Sequence, residues 1–390
     1  MAKTCVIVGG GYAGIHAVQS LQKAFRGEEL NLVLIDKNPY HTRKVLLFKP
    51  AVNDEDIKIP FRDIFPSGVD FLQACVQSLE HERNMLRCLN PAGETFDVHY
   101  DYVVLAAGSV VRETETDKGG IALNGIEAAQ KINKLWRANL KAAVTETDTH
   151  KKQSLMTITI AGAGLSGIET AAELVHSVRA YAKELGLEER AVKILLMNAH
   201  ERLFMEGPSS VSDKLERSLR EAGVTVCHQS RVMQATDGKV HLADGKELPS
   251  GLCLWTLGLQ PNPMLKQMNV PLTEDGKVAV DHSYRVKGLP GVYSVGDCAH
   301  IVDAVSGKPD RMTCKEAGAQ SARLGQVILA DTNGTRAPVH KSYMDTYCWS
   351  IGPDNGMAWA SKWGLSFVVA GKWGLKMRKF TWDIASLLRN

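Results

Sequence analysis

The chain has 390 residues, 44% hydrophobic and 23% charged, with a formal net charge of +3. That length exceeds one ordinary core and predicts two or three domains of a soluble globular protein. The small charge excludes the broad basic surface of a nucleic-acid binder. Val6, Ile7 and Val8 form a β-branched run suited to a buried parallel strand. Gly9, Gly11 and Gly14 follow as G-x-G-x-x-G, and residues 15–25 place Ile15, Val18 and Leu21 at helical spacing. Strand, glycine turn and helix in that order predict a dinucleotide cradle. The glycines allow a tight turn, approach of a pyrophosphate and close helix–strand packing, while the helix N-terminus turns free N–H groups to the phosphates. Residues 31–35 make the next strand. Asp36 ends it, 22 residues beyond Gly14, where a ribose-binding carboxylate belongs.

Residues 37–41 (Lys-Asn-Pro-Tyr-His) read as a turn, and residues 70–76 and 85–89 as strands. Residues 102–105 are another buried strand, closed by Ala106, Ala107, Gly108 and Ser109. Such small residues let backbone pass close to a cofactor, or make a plain strand-end turn. Residues 113–154 are polar and helix-like. Then the opening pattern recurs: a strand at 157–160, Gly162, Gly164 and Gly167 as a second G-x-G-x-x-G, and a helix opening over 168–175. Two such units predict two nucleotide-binding lobes. The second differs at its ribose position, where Asn198 follows the strand 193–197, with His200, Glu201 and Arg202 beyond. An acid there favours NAD, and an arginine accommodates a 2′-phosphate. Asn198 leaves NADH and NADPH both open, with Glu201 leaning to NADH.

Strands follow at 224–226, 238–242 and 252–255. The last closes on residues 256–262 around Gly258, repeating the strand, small residue and glycine order of 105–109 and marking the return to the first lobe. Residues 278–281 lead to 291–297, where a short strand delivers Asp297. That carboxylate suits a sugar-like polyol, or caps a helix. Residues 312–330 read as a helix with Lys315, Glu316 and Gln320 near its start.

Five of the seven tryptophans (Trp349, Trp359, Trp363, Trp373 and Trp382) lie in the last 42 residues, amid Lys372, Lys376, Arg378, Lys379 and Arg389 and one acid, Asp383. Trp373, Met377, Phe380, Ile384 and Leu387 form one helical stripe, which suits a membrane surface, the protein's own core or a homodimer contact. Removal of 372–390 is expected to leave a folded protein. The eight cysteines show no C-x-x-C spacing, so no metal module or vicinal redox disulfide is expected. A strand begins almost at once, leaving no room for a secretory leader, and no apolar run reaches 18 residues.

Residues 6–14 with Asp36, 105–108, 160–173, 256–262 and 291–297 resemble, in this order, the two-dinucleotide-domain flavoproteins. Within them the chain is similar to the type II NADH:quinone oxidoreductases and the ferroptosis-suppressor, apoptosis-inducing-factor-like branch. Tyr40-His41, Glu169 two residues after Gly167, and residues 317–322 (Ala-Gly-Ala-Gln-Ser-Ala) carry the finer likeness. The resemblance implies an α/β, glutathione-reductase-like fold of two Rossmann-like domains: 1–154 and 263–338 for FAD, 155–262 for NAD(P)H, and a C-terminal segment at 339–390. It implies FAD on Gly9, Gly11, Gly14 and Asp36, beside Ala107, Gly108 and Gly258, with Asp297 at the ribitol. It implies NADH or NADPH on Gly162, Gly164 and Gly167, with Asn198 at the ribose.

Glu169 would lie between flavin and nicotinamide, or simply satisfy its helix N-terminus. The helix start at Lys315 would stabilise charge on reduced flavin, and Gln320 would meet the acceptor. Leu324 departs from the type II pattern, which has a second glutamine there. The tail is shorter than that family's two-helix membrane anchor, and no Met-Gly opening exists for a myristoyl group. The expected reaction passes hydride from NAD(P)H to flavin and two electrons to a quinone, in the cytoplasm or on the inner face of a membrane. A ferredoxin- or rubredoxin-type reductase and a redox-sensing flavoprotein module are the alternatives.

Overall fold

The computed structural model describes residues 2–26, 30–112, 115–362 and 365–388. Two five-stranded parallel sheets built to one plan organise the chain. The first runs, across its width, Val292–Ser294, Tyr102–Leu105, Lys3–Val8, Leu30–Asp36 and Asp70–Gln73. Its central register sets Val8 between Ile35 and Leu105. A parallel sheet is covered on both faces, which is why Val6, Ile7, Val103, Val104 and Leu105 are all fully buried. The second sheet runs Ile121–Ala122, Leu252–Trp255, Thr157–Ala161, Lys193–Met197 and Val224–Cys227, again all parallel.

Each lobe inserts a three-stranded antiparallel sheet, after Asp70–Gln73 in the first and after Val224–Cys227 in the second. In the first lobe these strands are Cys75–Glu80, Met85–Leu89 and Thr95–His99. In the second they are Val232–Thr236, Lys239–Leu242 and Glu247–Pro249. The run read at 70–76 therefore divides between two sheets. The crossings between lobes, Ser109–Val111 and Leu259–Pro261, pair antiparallel.

Two expectations about local structure need correction. The turn expected at residues 37–41 contains the start of a strand, Tyr40–Thr42, which pairs antiparallel with Lys58–Pro60. The helix-like stretch 113–154 includes the edge strand Ile121–Ala122 before the helices Ile126–Thr145 and Thr149–Leu155. A two-residue strand carries no readable period.

The first lobe is closed by a late part of the chain. The helix Cys314–Thr332, capped by the Thr313 hydroxyl accepting from Glu316 N, packs on Tyr12–Ala24. Ser321 Oγ donates to Ala13 O at 2.9 Å. A Cβ on Gly325 would lie 2.4 Å from Ser20 O, so this approach requires glycine.

The strands Asp345–Ser350, Gly356–Lys362 and Leu365–Ala370 form an antiparallel sheet, followed by the helix Gly371–Ala385. Trp349 and Trp359 belong to the second lobe's core, with ring centroids 5.0 and 5.3 Å from Phe204. Trp382 packs near Phe48. The grouping of five tail tryptophans as one surface signal is thus corrected: Trp349, Trp359 and Trp382 are buried and Trp373 is exposed, while Trp363 and Arg389 lie outside the described residues. The helix buries Leu375, Arg378, Trp382 and Ala385. It exposes Trp373, Met377, Phe380 and Ile384, whereas Leu387, expected as the last member of the stripe, lies past the helix end and packs against the first lobe's core. The four exposed side chains therefore face away from their own protein. Among the described residues no helix is long and apolar enough to cross a membrane.

Candidate cofactor and coenzyme sites

Both glycine turns are built alike. A Cβ on Gly14 would fall 1.8 Å from Gly9 O, and one on Gly167 would fall 1.9 Å from Gly162 O. These two glycines let each helix sit against its own turn. Gly11 and Gly164 differ: no atom lies within 4 Å of where their side chains would begin. Each is the N-cap of its helix, without a side-chain cap or an acid in the first turn. Free N–H groups therefore face open space at both turns, as a pyrophosphate requires.

Around the first turn, Asp36 accepts from Gly10 N at 2.7 Å and Asn38 N at 2.8 Å. Burial pushes its carboxyl up, against the pull of these amides. His41, fully buried, lies 2.9 Å through Nδ1 from Gly10 O. The carbonyl can only accept, so Nδ1 carries the proton and donates. Across the strand ends, Asp297 accepts from Ser109 Oγ at 2.5 Å, and Lys44 Nζ donates to Ser109 O at 3.1 Å. Burial raises the Asp297 carboxyl and lowers the Lys44 ammonium, each opposed by the other's charge. Asn262 holds the small-residue turn in place: its Nδ2 donates to Ala107 O and its N to Gly108 O. Arg112 N donates to Gly258 O. The sequence marks Ser109 only as one of the small residues of its turn and gives no role to the Lys44 or Asn262 side chains, because each gains its meaning from a partner far along the chain.

Four expected site residues are engaged otherwise than the sequence suggests. Both ends of the Gln320 amide are engaged within the protein. The side chain is buried, its Oε1 accepting from Gly296 N at 2.7 Å and its Nε2 donating to Asp310 Oδ2 at 2.9 Å. Asp310 also accepts from Ser342 Oγ and lies 3.1 Å from His340 Nε2. Asn198 is likewise used internally. Its Nδ2 lies within 3.1 Å of His200 O, Arg202 O and His228 Nδ1, so no amide proton is left for a ribose. Lys315 donates to Thr346 O on the C-terminal sheet, and burial lowers its ammonium.

Glu169 offers no free carboxylate. Arg378, from the C-terminal helix, grips it at 2.8 and 2.7 Å, and Ser350 N donates to it at 2.8 Å. One turn on, Glu173 pairs with Lys49 at 3.0 Å. Taking away 372–390 would leave the buried Glu169 without its cation, so the shortened chain is expected to fold less stably than the sequence pattern suggests.

Residues 3–321 match the family described as pyridine nucleotide-disulphide oxidoreductase. A type II NADH:quinone oxidoreductase of Staphylococcus aureus is 23% identical over 398 aligned positions, covering 97% of this chain and 93% of that protein. Among solved structures, NDH2 from Plasmodium falciparum in complex with NADH superposes with a TM-score of 0.83 at 16% identity, covering all of this chain and 95% of that one. The sulfide:quinone oxidoreductase of Aquifex aeolicus superposes with a TM-score of 0.75, also at 16% identity, over 99% and 92% of the two chains.

Proposed function

The chain belongs to the pyridine nucleotide-disulphide oxidoreductase family, and from that premise we propose that it is an FAD-dependent NAD(P)H:quinone oxidoreductase of the type II kind. The observation that carries this is the doubled cradle: two matching turns in one chain, open at Gly11 and at Gly164. Bound FAD supplies a two-electron carrier that the side chains present do not provide. The chain's own groups bind and orient. The N-terminus of Tyr12–Ala24 takes FAD phosphates, Asp36 stands at the adenosine ribose, and Asp297 stands at the ribitol. Lys44 lies within electrostatic reach of Asp297 and Asp36 and offsets part of their negative charge. The N-terminus of Leu165–Glu184 takes the phosphates of the reduced coenzyme.

A quinone fits better than a protein acceptor because of the exposed apolar row on Gly371–Ala385. Trp373 is 69% exposed and Phe380 48% exposed, with Leu365 and Phe367 exposed on the preceding strand. Lys372, Lys376 and Lys379 sit among them. Apolar and cationic side chains on one helix support docking on a membrane surface. The test is spectroscopic: the purified protein is yellow, NADH bleaches it, and a short-chain quinone restores the colour within the turnover time. A folded protein that cannot be loaded with FAD, or that reoxidises only with ferredoxin, overturns the reading.

A further inference from the structure

A cavity of about 450 Å³ lies beside the second glycine turn, lined by Gly162, Ala199, Arg231, Arg112, Lys118 and Glu115 among others. Its position fits the adenosine end of a dinucleotide, between the turn and the end of the strand Lys193–Met197. Three features set its charge. No carboxylate stands at the strand end: Asn198 is there, with its amide turned inward and consumed. Ala199, the next residue, contributes only a methyl group to the wall. Glu201, which favours NADH on sequence grounds, is exposed and is not among the lining residues.

The cations are differently occupied. Lys118 pairs with Glu115 at 3.3 Å, and Arg112 Nε donates to Leu259 O at 3.3 Å. Arg231 is exposed, and among the described residues no ion pair or side-chain hydrogen bond engages its guanidinium. Its segment is fixed to the ribose end of the site, since Ser230 N donates to Asn198 O at 2.9 Å. A free planar guanidinium beside a missing acid suits a phosphomonoester, which it can hold by two parallel N–H donors.

We propose that Arg231 receives the 2′-phosphate of NADPH, so that the protein uses NADPH with a kcat/KM within tenfold of that for NADH, or better. This rests on reading the second lobe as the reduced-coenzyme site. Calorimetric titration of the holoprotein with 2′,5′-ADP and with 5′-AMP isolates the extra phosphate. At low salt, 2′,5′-ADP binds at least tenfold more tightly, and the gap narrows as salt rises. In Arg231→Gln the gap closes, and the ratio of kcat/KM for NADPH to that for NADH falls at least tenfold, with flavin content and melting temperature retained. Equal affinity for the two nucleotides in the wild type, or a gap untouched by Arg231→Gln, overturns the proposal. Bleaching by NADH but not by NADPH overturns it while sparing the reading of the lobe. Failure of both coenzymes to bleach the flavin brings down both.

Discussion

Arg378 meets Glu169 side-on, with Nε 2.8 Å from Oε1 and Nη2 2.7 Å from Oε2. The two side chains are 5% and 2% exposed, and 209 residues separate them. The pair joins the helix Leu165–Glu184 to Gly371–Ala385, the last helix among the described residues. Burying two charges is costly, and removing one partner leaves the other uncompensated. Arg378→Met is therefore expected to destabilise the fold by about 3–5 kcal/mol, read as a lower melting temperature with early proteolysis in the C-terminal helix. The double variant Arg378→Met with Glu169→Met recovers most of the loss. Equal melting of wild type and the single variant would show that the pair contributes nothing.

The two glycine turns separate two functions. Gly14→Ala places a methyl group 1.8 Å from Gly9 O, so the protein is expected to purify colourless and to take up added FAD poorly. Gly167→Ala makes the same clash with Gly162 O. That variant stays yellow, but its kcat/KM for NADH falls about a hundredfold, the usual consequence of an ångström of misplacement. Absorbance at the flavin band and single-turnover reduction check the two halves. A colourless Gly167→Ala would contradict the assignment of lobes.

Gln320 acts through Gly296, the residue before Asp297. Gln320→Leu strips a buried N–H of its acceptor and Asp310 of a donor, at roughly 1–3 kcal/mol for each unsatisfied group. FAD affinity is expected to weaken on the order of tenfold or more, measured by fluorescence on titrating apoprotein. If Gln320 instead met the acceptor, the quinone KM would move and FAD affinity would not.

Burial lowers the His41 imidazole from its ordinary 6.5 to about 4. Between those values the unfolded chain binds a proton that the folded chain does not. The contribution of a neutral His41 is thus present above pH 6.5 and is lost as pH falls toward 4, amounting to about 3 kcal/mol. His16, lowered by burial as well, adds in the same direction. Urea unfolding from pH 7 to pH 4 is expected to show stability falling steeply, and His41→Asn, which keeps a donor for Gly10 O, to fall less. Parallel curves for the two proteins would remove His41 from the account.

The exposed row on the last helix is tested by substitution. Trp373→Ser with Phe380→Ser removes two large apolar contacts, each worth ~1.5–3 kcal/mol if fully buried. Co-sedimentation with vesicles containing anionic lipid is expected to weaken by about ten- to a hundredfold, with flavin and melting temperature unaltered. Unchanged sedimentation sinks membrane docking. A change confined to oligomer size would give the face to a second copy.

The two glycine turns are legible because strand, turn and helix are adjacent in the chain and each glycine acts on its near neighbours. What was not legible depends on distance. Lys44 and Ser109 are 65 residues apart. The inward turn of Asn198 is set partly by His228, 30 residues on. The stripe through Trp373, Met377, Phe380 and Ile384 was readable from its period. Its outward direction was not, because the burial of Arg378 and Trp382 on the opposite side decides it. Tyr40–Thr42 and Ile121–Ala122 are too brief for any pattern, and only a neighbouring strand makes them sheet.

Trp349 and Trp359 share their surroundings with Ile160, Ile168 and Leu174. The strands Asp345–Ser350 and Gly356–Lys362 are consequently part of the wall of the coenzyme lobe rather than a detachable tether. Shortening the gene to obtain a better-behaved protein would open that wall and expose its interior to water. Handling is better improved by changing the outer side chains of the last helix one at a time, leaving its inner ones where they are.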